Sequence, residues 1–180
     1  MFENLREDWQ AYSRDPFSPG IWVMVVYRFG RWRYCIPWRW LRMPFSFAYK
    51  VAFALVTIVT GAELPCETQI GRRLHIDHPH GLVVSGDARL GDDVTLRNGV
   101  TIGLRRLGQR GSPVIGNRVD VGAGAKILGE IEVGDDSSIG ANAVVLTDVP
   151  AGSIAVGVPA IVRPKNKQVT QWREKCSTVS

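Results

Sequence analysis

A parallel β-helix preceded by a short helical region is the fold class this sequence predicts, and three observations predict it. Between Ile115 and Pro150 an aliphatic residue returns every sixth position, at Ile115, Val121, Ile127, Val133, Ile139 and Val145. The fourth position after each opener is small or apolar: Val119, Ala125, Ile131, Ser137, Ala143 and Val149. Gly usually stands directly behind the opener, as at Gly116, Gly122, Gly134 and Gly140. A helix needs a 3.6-residue rhythm and a half-buried strand a two-residue one, so a period of six fits neither. It fits short strands joined at tight corners, each coil stacked on the last and bonded to it.

The chain is expected to begin with helices. Phe2, Leu5 and Trp9 share a helical face in a charged run that ends near Asp15-Pro16. A second helix is expected from Ile21 to Tyr34, before Pro37, and a third from Phe45 to Thr60, stopped by Gly61. The longest uncharged run, Val51 to Ala62, is too short to span a bilayer comfortably. Arg28, Arg31, Arg33, Arg39 and Arg42 alternate with Trp22, Trp32, Trp38 and Trp40. That interleaving suits either packing against the solenoid and another subunit or contact with a membrane surface.

The repeat then extends backwards through Ile102, Leu96, Leu90, Leu82, Ile76 and Ile70. Twelve openers at three per turn make about four coils. Two residues are in excess between Leu82 and Leu90, and seven between Ile102 and Ile115. The second excess places residues 104–112 in a protruding loop. The division expected is a helical region 1–60, a β-helix 61–163 and a basic tail 164–180. So short a prism leaves surface unburied, which favours a homotrimer or a dimer of trimers.

Composition narrows the class. The 180 residues carry a net charge of +5, with eight Lys/Arg against four Asp/Glu in residues 1–60 and ten against twelve in 61–163. Basic ends suggest an anionic lipid or a phosphorylated small molecule; no nucleic-acid motif accompanies them. Cys35, Cys66 and Cys176 are odd in number and scattered, which indicates neither a disulfide framework nor a zinc site. Glu3, Arg6, Glu7 and Asp8 stand where a signal peptide would begin its apolar run. A cytoplasmic protein is expected, with the inner face of the membrane as a possible station.

All three histidines lie in Leu74-His75-Ile76-Asp77-His78-Pro79-His80-Gly81. Ile76 is an opener, so His78 falls two places on, towards a corner and the solvent. An imidazole there is suited to act as general base near neutral pH. The spacing lacks the Cys or carboxylate partners of a zinc quartet, and no metal is expected. His75 and His80 read as surface residues.

The ordered set Arg14-Asp15-Pro16, Tyr27-Arg28, Gly61-Ala62-Glu63-Leu64-Pro65, Asp77-His78, Gly99-Val100-Thr101-Ile102-Gly103, Gly122-to-Gly129 and Gly157-Val158-Pro159-Ala160 resembles the serine acetyltransferase branch of the hexapeptide-repeat acyltransferases. The likeness looks nearest to short members that O-acetylate cell-surface polysaccharides, such as the colanic acid acetyltransferases. It implies a left-handed coil, an exception to the right-handed crossover rule. It implies acetyl-CoA as acetyl donor, His78 as catalytic base and Glu63 as the carboxylate that orients it. Asp15, Asp77 and Arg110 match positions that grip the acceptor. Gly103, Ala123 and Ala141 match positions along the pantetheine arm, with Arg163, Lys165 and Lys167 placed to meet the nucleotide phosphates or simply to solvate the tail.

One departure concerns Gly111. The family carries a second active-site His directly after the loop Arg, and here that place has no side chain. The expectation drawn from it is a roomier acceptor site and transfer to a sugar hydroxyl or glycolipid. Serine O-acetylation is the alternative, and a non-enzymatic β-helix scaffold a further one. A metal-dependent hydratase on the same fold ranks last.

Overall fold

A computed structural model describes residues 2–12, 15, 17–106, 108 and 111–165. It is a left-handed parallel β-helix with a helical cap. Three helices lead in: α1 (Phe2–Ala11), α2 (Pro19–Trp32) and α3 (Arg39–Thr60), with a single 3₁₀ turn at Arg33–Cys35 between the last two. Pro19 opens α2, where its missing N–H costs nothing. Gly61 ends α3 in the left-handed region, φ 67°, and its N–H bonds the Thr57 carbonyl at 2.8 Å. The third helix therefore starts six residues earlier than its apolar pattern suggested, running through Pro44 close to its start. At that length α3 is apolar enough to cross a membrane by composition, which the uncharged run alone did not show.

The strands form three sheets, one per face of the prism. Sheet one stacks β1 (Gln69–Ile70), β4 (Arg89–Leu90), β7 (Val114–Ile115) and β10 (Glu132–Val133). Sheet two stacks β2 (His75–Asp77), β5 (Thr95–Arg97), β8 (Asp120–Val121), β11 (Ser138–Ile139) and β13 (Ser153–Val156). Sheet three stacks β3 (Val83–Val84), β6 (Thr101–Gly103), β9 (Lys126–Leu128) and β12 (Val144–Val145). Four full coils result, and β14 (Ile161–Pro164) turns back antiparallel on β13 to close the far end.

Each opener meets the opener of the neighbouring coil. Ile76, Leu96, Val121 and Ile139 stand in register, as do Val84, Ile102, Ile127 and Val145, all buried. The register of Val84 with Ile102 corrects one expectation: the opener of that coil is Val84, not Leu82. The two extra residues thus lie between Ile76 and Val84, in the corner that carries His78. Leu82 is as buried as Val84, so hydrophobicity alone could not separate the two.

The helices cover the first coil. Its lower edge would otherwise leave polar backbone groups unbonded, and side chains from α1, α2 and the residue after α1 meet them. The Ile76 N–H donates to Tyr12 Oη at 2.7 Å, Tyr27 Oη donates to the Thr68 carbonyl at 2.7 Å, and Arg28 Nη2 donates to the Gly71 carbonyl at 2.7 Å. Arg28 and Arg33 are accordingly buried, Arg33 lying over the rings of Tyr34 and Tyr49. Two of the five arginines in the Trp/Arg interleaving are thereby turned inward and explained by packing.

Along the corner between sheets one and two runs a charged ladder. Arg72 pairs with Asp92, Arg73 with Asp93 and Arg118 with Asp136, while the Asn117 N–H and amide hold Asp135. The backbone N–H of Arg72 holds Asp92 below its ordinary value, the Arg73 guanidinium does so for Asp93, the Asn117 N–H for Asp135 and the Arg118 guanidinium for Asp136. A carboxylate lowered by folding stabilises above its unfolded value, about 3.9, and that stability is lost as pH falls through the folded one. The melting temperature is therefore expected to be level near neutrality and to drop below about pH 4, a drop made shallower by Arg73→Met. Thermal melts from pH 7 to pH 2 check this, and a flat profile would contradict it.

Candidate active site

His78 lies on the corner between sheets two and three, just past the end of β2. Its backbone sits in the left-handed region, φ 53°, which is uncommon for a residue with a Cβ. Together with the two extra residues of this coil, that conformation turns the imidazole outward. Its side chain is 83% exposed, and Nε2 lies 3.4 Å from Asp77 Oδ1. Asp77, on β2, is outward-facing and half-exposed.

Tyr12 ties the segment after α1 to the same strand. Its hydroxyl accepts from Ile76 N–H, its carbonyl accepts from the Asp15 N–H at 3.0 Å, and its ring lies 4.8 Å from that of His75. Burial pushes the Tyr12 phenol well above its ordinary value, so it stays protonated. Asp15 itself is exposed, its Oδ1 accepting from the Phe17 N–H at 2.9 Å. The structure thus sets Asp77 and His78 side by side at the end of β2 and ties the Asp15 backbone to that strand through Tyr12. His75, expected on the surface, is half-buried against Tyr12, with a buried Nδ1 that has no partner among the described residues. Tyr12 was not singled out from the sequence: its partner is a backbone N–H 64 residues away, which leaves no local signal.

Glu63 is exposed at the foot of sheet three. Its N–H donates to the Leu82 carbonyl and its carbonyl accepts from Val84, so it adds one rung below Val83. Among the described residues its carboxylate makes no hydrogen bond to His78; the carboxylate beside the imidazole is that of Asp77.

Ala123 and Ala141 stand on the same corner as His78. The ladder fixes this: the Gly99 N–H bonds the His80 carbonyl, the Gly124 N–H that of Asn98, and the Asn142 N–H that of Ala123. One edge of the prism therefore carries, coil by coil, His78, Asn98, Ala123 and Ala141. Small side chains there leave backbone open to a long, thin ligand. Gly103 is buried at the end of β6, away from that edge and at the root of the loop. Arg163 is exposed on β14, paired with Ile154. Lys165 is not on the edge of His78: its Nζ donates to the Asp136 carbonyl, at the corner of the charged ladder.

Arg110 lies outside the described residues, as do Arg14, Pro16, Lys167 and Cys176. Gly111 is described, and it corrects the expectation of a roomier acceptor site. Its φ is 104°, and a Cβ placed on it would lie 2.5 Å from Glu130 Cβ and 2.8 Å from Glu130 Oε2. The space that a side chain would take is filled by Glu130. Gly111 also belongs to the corner between sheets three and one, whereas His78 belongs to that between two and three. Beside it a cleft of about 700 Å³ is lined by Asp87, Arg89, Ser112, Glu130, Glu132 and Asp148.

Residues 112–147 match the bacterial transferase hexapeptide family (six repeats). A serine acetyltransferase from Helicobacter pylori is 43% identical over 150 residues, which cover 83% of this chain and 84% of the relative. The chain belongs to the serine acetyltransferase family. A solved serine acetyltransferase from Brucella abortus in complex with coenzyme A superposes with a TM-score of 0.78 at 31% identity, over 91% of this chain and 67% of that one. One from Neisseria gonorrhoeae in complex with serine superposes with a TM-score of 0.76 at 28% identity, over 90% and 68%.

Family membership makes this an acyltransferase, with acetyl-CoA as the acetyl donor, and disposes of the scaffold reading. It also corrects the acceptor. These relatives are serine acetyltransferases, so neither the nearness to colanic acid acetyltransferases nor the sugar or glycolipid acceptor stands.

Proposed function

We propose that this protein is a serine O-acetyltransferase that moves the acetyl group of acetyl-CoA to the hydroxyl of L-serine, in the cytoplasmic synthesis of cysteine. The observation that carries the reading is the 43% identity to a serine acetyltransferase over most of both chains. The single edge that holds His78 and the small residues Ala123 and Ala141 supports it.

In the proposed step His78 takes the proton from the serine hydroxyl as that oxygen attacks the thioester carbonyl. The tetrahedral intermediate collapses, the C–S bond breaks, and the imidazolium returns its proton to the departing thiolate. Asp77 or Glu63 stabilises the imidazolium, and rotation of the exposed ring decides which carboxylate it faces. Asp15, Asp77 and Arg110 take the charged ends of serine. Ala123 and Ala141 line the pantetheine path and Arg163 meets the phosphates, whereas Gly103, buried at the root of the loop, and Lys165, held at the Asp136 corner, take no part in the path along this edge.

In one chain His78 stands on an open convex edge, and the loop 104–112 leaves from a different corner. We therefore assign the opposite wall of the site to a neighbouring subunit in a trimer, whose loop faces His78. The division into a helical cap 1–60, a catalytic β-helix 61–163 and a tail 164–180 is part of the same proposal.

The test is a thiol-release assay with acetyl-CoA that compares L-serine with free sugars and polysaccharide fragments. The expected kcat/KM for serine is in the ordinary enzyme range, about 10⁴ M⁻¹s⁻¹ or more. Release only in the presence of a glycan would overturn the proposal.

A further inference from the structure

Between the second half of α2, the 3₁₀ turn that follows it and β1 lies a cavity of about 390 Å³. It opens beside Ile70 on sheet one, whereas His78 stands on the corner between sheets two and three. The cavity is therefore no part of the site proposed for acetyl transfer. Its walls are the rings of Tyr27, Trp32 and Tyr34, with Ile70 beside them. These rings are held in place by the fold. Trp32 stacks on Phe29 and meets Phe45 edge-on, and Tyr34 lies under the guanidinium groups of Arg33 and Arg42. Tyr27 Oη donates to the Thr68 carbonyl and Tyr34 Oη to Glu67, so neither phenol calls for a ligand.

The polar groups left over are donors. Arg28 lines the cavity and is only 5% exposed. Its Nε and Nη2 are bonded to Asp8 and the Gly71 carbonyl, while Nη1 has no bond among the described residues. Arg31 also lines the cavity, exposed, with neither hydrogen bond nor ion pair among the described residues. The lining includes no Asp or Glu.

We infer that this cavity binds a small organic anion made of one flat ring and one carboxylate. Charge selects the carboxylate. Asp8 already balances Arg28, so Arg31 is the uncompensated cation of the lining, and it matches one negative charge. A phosphate dianion would leave one charge unmatched. An arginine fork takes a carboxylate through two parallel bonds, and Arg28 Nη1 supplies a third donor. The rings select the rest. Sites for small ligands combine aromatic walls with a few convergent polar groups, at volumes from about 300 Å³ upward. The competing account is a solvated cation in the last turn of α2, where Arg31 would merely complement the helix dipole. That account explains neither the three rings around it nor the unbonded nitrogen of a buried arginine.

Cys35 stands on the same wall and is exposed, so its reactivity reports occupancy. The test follows alkylation of Cys35 by iodoacetamide in the full chain carrying Cys176→Ser, with hydrocinnamate as the probe. Cys66 is fully buried and does not compete. Rates with and without the probe are compared within each variant. Half-protection is expected at a concentration on the order of 1 mM. Arg31→Gln should raise that concentration at least about tenfold, as the loss of a charge-assisted pair requires, and leave acetyl-CoA turnover unchanged. Hydrocinnamyl alcohol lacks the charge, butyrate lacks the ring and phenyl phosphate carries the second charge, and each should protect less than hydrocinnamate. Equal protection by any of the three would overturn the inference. So would undiminished protection in Arg31→Gln, or no protection of Cys35 by hydrocinnamate.

Discussion

Replacing His78 by alanine is expected to lower turnover at least about 100-fold while fold, assembly and CoA affinity stay near wild type. The magnitude is the low end of what a positioned base contributes, and it corresponds to about 2.7 kcal/mol of barrier. The structure explains why the loss should fall on chemistry alone. His78 is 83% exposed in its side chain, so its removal leaves no cavity among the described residues. Its backbone sits at a left-handed φ of 53°, which alanine can also adopt at a small added cost, histidine being the commoner residue there. Steady-state rates with saturating serine and acetyl-CoA, with CoA affinity measured by calorimetry, separate the effects. A variant that keeps a tenth or more of the wild-type rate at neutral pH would remove His78 from the role of base.

Much of this fold could be read before any coordinates, and what could not has a physical reason. The period of six located the strands from Ile115 to Val145 because openers and corners repeat without exception there. It failed at Leu82 because two adjacent apolar positions, Leu82 and Val84, are both buried, and only the register with Ile102 shows which one opens the coil. The consequence is functional, since the two extra residues belong to the turn that lifts His78 outward. The outward corner position of His78 was legible from its place two residues after Ile76. Tyr12 was not, because its contact is to a backbone N–H distant in sequence.

The acceptor was misjudged on Gly111. An absent side chain suggested empty space, yet Glu130 of the same chain occupies that space. A sequence lists side chains; it does not say which neighbour fills the gap left by a glycine.

The second large effect concerns stability. Asp8 is fully buried and Arg28 nearly so, and they share a bond of 2.8 Å from Arg28 Nε to Asp8 Oδ2. Asp8 also accepts from the Arg73 N–H at 3.1 Å, and Arg28 donates on to the Gly71 carbonyl. This one pair therefore joins α1 and α2 to the first coil, at the edge the solenoid cannot bond for itself. Asp8→Ala would leave the Arg28 guanidinium buried without its counter-ion. Breaking such a pair by removing one partner costs about 3–5 kcal/mol, because the remaining charge keeps its desolvation penalty and loses its attraction. For a chain of this size that is a fall in melting temperature on the order of 10 °C. Removing both charges, as Asp8→Ala with Arg28→Met, should recover part of the loss, since a well-packed apolar replacement leaves no orphan charge. Denaturant melts at one fixed protein concentration compare the three forms, the concentration being held because subunit association adds to apparent stability. A double variant no more stable than Asp8→Ala would mean that the hydrogen bonds to Gly71 and Arg73, rather than the charge pair, hold the helical cap in place.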